Sequence, residues 1–146
     1  MRLRLCLALL LVCVACGAER TGPRLEPDRS TVSTMATVPA EQASVVLFVS
    51  AEAEPSRRVG LRVAVNGAVA LDDAFATMSS VNVKQVPLAL ADGAHRLTVV
   101  ADDGTALHLS ITVPTEQRYI LLTYWSTDET GTTIDHRSTA VAPQYG

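Results

Sequence analysis

Three imidazoles, His95, His108 and His136, are the side chains best suited to bind a metal or move a proton near neutral pH. Their spacing supports neither role. No H-x-H, H-E-x-x-H or H-x-x-E-H run occurs, and alternation puts His108 beside Ser110 on a wet face. Serine and aspartate are present too, but no G-x-S-x-G turn exposes a nucleophile. The paired acids Asp72-Asp73, Asp102-Asp103 and Asp128-Glu129 could gather oxygens for calcium, which takes about six to eight. Asp102-Asp103 precedes Gly104 and suits a turn, which leaves Asp72, Asp73, Asp128 and Glu129 as the calcium candidates, without a D-x-D-x-D-G loop to support them. Cys13-Val14-Ala15-Cys16 has redox or metal spacing. Its apolar surroundings, Leu5 to Ala15, lack the exposed, electropositive setting of a reactive thiolate. The chain therefore reads as a non-enzyme with no cofactor.

The segment from Arg118 to Trp125 is the most unusual, because both of its alternating faces are apolar. Ile120, Leu122 and Tyr124 can line a core, while Tyr119, Leu121 and Trp125 face the other way. Two readings stand: a central strand covered on both sides by its own chain, or an exposed patch for a protein or glycan partner. Arg57, Arg58 and Arg62 form a small basic group expected to guard a sheet edge.

Strands must position these residues. Period-two alternation runs from Ser44 onward, as in Val59, Leu61 and Val63, or Leu107, Leu109, Ile111 and Val113. It predicts strands over about 44–51, 59–65, 68–73, 81–90, 95–101, 106–113, 118–125 and 133–141. Asn66-Gly67 could make a two-residue hairpin, but the resulting register would set Leu71 against Arg62. A three-residue loop would pair Val63 with Val69 and Leu61 with Leu71, with Gly67 left-handed. Asp102-Asp103-Gly104 predicts Val99 opposite Leu107 and Leu97 opposite Leu109 by the same rule. Seven to eight short strands in about 100 residues indicate an all-β, antiparallel immunoglobulin-like β-sandwich, with a closed barrel as the alternative.

The 146 residues hold one domain of ordinary size. An apolar content of 48% with 18% charged residues excludes wholesale disorder. A net charge of -3 argues against nucleic acid as partner. Ahead of the sandwich, expected over 41–146, lie two segments of other character. Residues 1–15 carry Arg2 and Arg4 before an apolar run too short to span a bilayer, and read as an export signal. Residues 16–40, with Pro23, Pro27, Pro39 and a Ser/Thr cluster, read as a flexible linker.

The junction Cys13-Val14-Ala15-Cys16-Gly17 resembles the lipobox of bacterial lipoproteins, with Ala15 before the acceptor Cys16 and Cys13 where the family prefers leucine. The resemblance implies cleavage before Cys16 and a covalent diacylglycerol and acyl lipid on that residue. It further implies a membrane-anchored, extracytoplasmic location in the cell envelope, with Gly17 directing outer-membrane sorting where the host has such a membrane. Loss of Arg2 and Arg4 would take the net charge from -3 to -5, so attraction to anionic headgroups is not the means of attachment. Ordinary secretory cleavage, giving a freely secreted ligand-binding module, is the alternative. Leu90-x-x-Gly93-x-His95-x-Leu97-x-Val99 resembles a strand-opening pattern of PEGA-like and other immunoglobulin-like envelope modules. That likeness implies a sandwich that binds an envelope protein or serves a structural role.

Overall fold

The computed structural model describes residues 32–77, 82–129 and 131–145. The expected leader 1–15, Cys16 and most of the expected linker lie outside these residues. Eight strands follow a 3-10 turn at Ala40–Gln42: β1 (Val45–Ala53), β2 (Arg58–Val65), β3 (Ala68–Ala76), β4 (Lys84–Leu88), β5 (Gly93–Ala101), β6 (Ala106–Val113), β7 (Tyr119–Thr127) and β8 (Gly131–Thr139). They form two four-stranded sheets, in the orders β4-β1-β7-β8 and β3-β2-β5-β6, packed as a β-sandwich. The fold is all-β, as alternation predicts. Among the described residues no helix is long and apolar enough to cross a membrane.

The core between the sheets takes every second residue of the inner strands. Val45, Leu47 and Val49 of β1, Val59, Leu61, Val63 and Val65 of β2, and Ile120, Leu122 and Tyr124 of β7 are all nearly inaccessible. Fully burying one such aliphatic side chain contributes roughly 1.5–3 kcal/mol, so this alternation is the main force fixing register. β1 is apolar on both faces because Val46 and Phe48 belong to a second cluster on the outside of its sheet. β1 also departs from the expected all-antiparallel pattern. It runs parallel to β7, with Val46 opposite Tyr119 and Glu52 opposite Trp125. A constant-type immunoglobulin sandwich divides its seven strands four and three; here eight divide evenly, with the first between the fourth and the seventh.

The two hairpins solve their turns differently. In β5–β6, Val99 lies opposite Leu107 and Leu97 opposite Leu109, as predicted, with Gly104 at φ 89°. In β2–β3 the predicted register is overturned. Asn66 (φ 52°) and Gly67 (φ 85°) make the two-residue turn, setting Val65 opposite Ala68 and Ala64 opposite Val69. The register then shifts past Ala70, bringing Leu71 opposite Val63 and Asp73 opposite Leu61. A bulge in β3 repairs the mismatch that seemed to exclude the tight turn. Because β2 lies between β3 and β5, the Arg57, Arg58 and Arg62 group does not guard a sheet edge.

The last part of the expected linker is held by the sandwich. Met35 N–H donates to Val69 O at 2.7 Å, Val69 N–H to Ser33 O at 2.8 Å, and Val38 N–H to Pro87 O at 3.2 Å. Residues 33–38 thus run from the edge of β3 to the edge of β4, and Met35 packs on the core. The same side is closed by an ion pair between Asp73 of β3 and Lys84 of β4. Edge strands need such covering because their unpaired backbone groups otherwise recruit other chains.

Successive strands reverse direction, so the connections collect at two poles. The chain reaches the sandwich at the pole holding the β2–β3, β4–β5 and β6–β7 connections. The opposite pole holds β1–β2, β3–β4, β5–β6 and β7–β8.

Candidate functional site

Tyr119, Leu121 and Trp125 project from the outer face of the β4-β1-β7-β8 sheet, and the structure treats them differently. Tyr119 and Leu121 are half-buried against the cluster of Ala43, Val46 and Phe48, on which Val38 and Val83 also pack. The Phe48 ring lies tilted, 6.1 Å from Tyr119 and 5.7 Å from Tyr145 near the C-terminus. The Arg118 guanidinium lies 5.3 Å from the Tyr119 ring and donates to Ala40 O at 2.8 Å and Ala43 O at 2.9 Å. These two residues are therefore largely covered by their own chain. Trp125, farther along β7, remains 38% exposed.

Beside Trp125 opens a cleft of about 400 Å³ at the pole away from the chain's approach. Glu52, Ala53 and Glu54 of β1 and its following loop form one wall, Trp125, Ser126 and Thr127 another, and Ser56 and Thr77 complete it. Parallel pairing of β1 and β7 puts Glu52 next to Trp125, while Glu54 N–H donates to Ser126 O at 2.9 Å. Period two then sends Glu52 and Trp125 to the same side of the sheet, and Glu54, in the bend after β1, lines the same cleft.

A polar network ties the floor of the cleft to both sheets. Tyr124 is fully buried, so its hydroxyl must find partners inside the protein. It donates to Asp103 Oδ2 at 2.8 Å and accepts from Arg57 Nη2, which also donates to Ser126 Oγ at 3.0 Å. Arg57 lies 3.8 Å from the Asp103 carboxylate. Arg57 N–H in turn donates to Thr77 Oγ1 at 2.7 Å, and that hydroxyl donates to Arg57 O at 2.9 Å. Burial works to raise the Asp103 carboxyl, but hydrogen bonds from Thr105 and the Tyr124 hydroxyl, with the Arg57 charge, outweigh it and hold the group below its ordinary 3.8. Sequence reasoning missed this network. Its one legible signal was a tyrosine on the inward face of β7.

The calcium candidates do not converge. Asp72 accepts from Arg62 at 2.6 Å on the open face of the second sheet, Asp73 is engaged by Lys84, and Asp128 and Glu129 stand in the β7–β8 turn. Among the described residues, no three His, Cys, Asp or Glu side chains are placed to hold a metal ion. Asp102 accepts from Gly60 N–H at 2.9 Å, joining the turn to β2.

Two of the three histidines make local hydrogen-bond contacts. His108 is exposed on β6, as alternation predicts, with Thr98 Oγ1 3.3 Å from its Nδ1. His95 bridges two loops. Asn66 Oδ1 accepts from Arg96 N–H at 2.9 Å, which directs its Nδ2 toward His95 Nδ1 at 3.0 Å. Nδ1 is then the acceptor, leaving Nε2–H to donate to Ala91 O at 2.7 Å. His136 is exposed on β8, opposite Leu122.

Around the open cleft stand an indole face, two carboxylates and several hydroxyls. Comparison with protein-family models, with curated proteins and with solved structures finds no match to this chain.

Proposed function

We propose that this chain is a non-enzymatic lipoprotein of the cell envelope, held outside the cytoplasm by lipid on Cys16 and presenting its β-sandwich to another envelope component. One observation carries the reading: the sandwich is polar in its connections. The described chain approaches at the Val69 end of β3, where Ser33 and Met35 are bonded, and the Trp125 cleft opens at the Thr77 end. Within the sandwich, the point where the chain enters and the cleft therefore lie at opposite poles, which suits a domain whose cleft serves a partner. The lipobox-like Cys13 to Gly17 run supplies the anchor, and Gly17 favours the outer membrane in a host that has one. Ser126 at the cleft accepts from Arg57, and the exposed indole beside an open cleft suits a binding role.

Metabolic labelling with a clickable palmitate analogue in an export-competent bacterium tests the anchor. Wild-type protein should take up label and partition with membranes, and Cys16→Ala should do neither. Equal labelling of both proteins would overturn the reading. Recovery of unlabelled wild-type protein in the soluble extracytoplasmic fraction would replace it with a freely secreted module.

A further inference from the structure

We infer that the Trp125 cleft receives a lysine or arginine side chain from a basic segment of a partner protein. This deepens the binding role proposed above and does not depend on lipid at Cys16. The first argument comes from how the molecule treats its other aromatic rings. Tyr124 has Arg57 at 5.8 Å, Phe75 has Lys84 at 5.3 Å and Tyr119 has Arg118 at 5.3 Å. The Phe48 and Tyr145 rings lie tilted against each other. Trp125, whose indole attracts a cation more strongly than phenol or benzene rings do, has no ring or cation beside it among the described residues. It also lines a cleft of about 400 Å³, large enough for a side chain.

Charge supplies the second argument. Glu52 and Glu54 line the cleft, and neither is paired with a cation among the described residues. Arg57, the cation that approaches this pole from within, is committed to Asp103, Tyr124 and Ser126. Asp128 and Glu129, in the turn that follows Thr127 at the same pole, add two exposed negative charges. A run of negative charge longer than one side chain suits a peptide with several positive charges better than a single small amine.

The chain's only tryptophan is Trp125, so intrinsic emission reports directly on this cleft. The test titrates the full-length, detergent-solubilised protein with acetyl-tetralysine-amide, and with acetyl-tetraglutamate-amide as the opposite-charge probe. The lysine peptide should change the emission saturably, with affinity falling as salt rises, and the glutamate peptide should not. Glu52→Gln with Glu54→Gln keeps the fluorophore and should weaken the lysine peptide by about tenfold. Trp125→Leu, read by calorimetry, should weaken it comparably and provides an independent variant should the double change disturb folding. Absence of a saturable response, or equal affinity in these variants, would overturn the inference. So would affinity that rises when Arg20, Arg24 and Arg29 are changed to serine, since the cleft would then belong to the chain's own upstream segment. Failure of the palmitate label would leave this result untouched.

Discussion

Asp103 shows how much one side chain can do at the junction of the sheets. It sits in the β5–β6 turn of one sheet and accepts from a tyrosine buried in the other, with Arg57 beside it. Held below its unfolded value, the carboxylate contributes fully to stability above about pH 3.8, and that contribution disappears as pH falls through the lower folded value. Asp103→Asn should therefore lose about 1–2 kcal/mol at pH 7, the cost of weakening charge-assisted hydrogen bonds. The gap to wild type should close below pH 4. Urea unfolding of both proteins from pH 7 to pH 2.5 measures this, and a gap that stays constant with pH would show that the charge does not matter. Arg57 and Asp103 were visible in the sequence only as a basic residue and a turn former. Their joint role depends on two loops that are 46 residues apart in number and adjacent only after the sandwich closes.

At the scale of the element, glycine geometry separates the two ends of the β2–β3 and β5 region. Gly67 sits at φ 85°, near the left-handed well, and Gly93 at φ 126°, well outside it. At neither position would a Cβ meet another atom within 4 Å, so only backbone strain distinguishes the substitutions. Gly67→Ala should cost about 1–2 kcal/mol, and Gly93→Ala clearly more, because that region is almost closed to residues with a side chain. Denaturant midpoints decide the order; equal losses would refute it. The eight strands and the β5–β6 register were legible because alternation there is unbroken. The β2–β3 register was not, since a bulge at Ala70 leaves no mark in composition and becomes favourable only when Leu71 and Phe75 have a core to reach. The fate of Tyr119 and Leu121 was equally hidden. What they pack on is Ala43, Val46 and Phe48, and nothing in β7 itself announces those neighbours. Trp125 was legible as a candidate because its face was apolar without an evident cover.

For the whole molecule, the decisive property is the separation of the chain's approach from the cleft. Val69, where the upstream segment is bonded, and Thr77, at the cleft just past β3, are separated by seven regular strand steps once the Ala70 bulge is set aside, roughly 23 Å at strand rise. With the protein acylated at Cys16 and inserted in vesicles, the cleft pole should therefore stay in water. Trp125 again supplies the probe. Vesicles made with brominated lipids should leave its emission as it is in unbrominated vesicles, while acrylamide in the aqueous phase should quench it as strongly as in detergent-solubilised protein. Quenching by the brominated acyl chains would place the cleft against the bilayer, and the sandwich would then present its opposite pole to partners. Deleting residues 18–29 refines the result. Emission unchanged by brominated lipid in the shortened chain would show that the length of the sandwich itself keeps the cleft clear, whereas newly acquired quenching would assign that task to the linker.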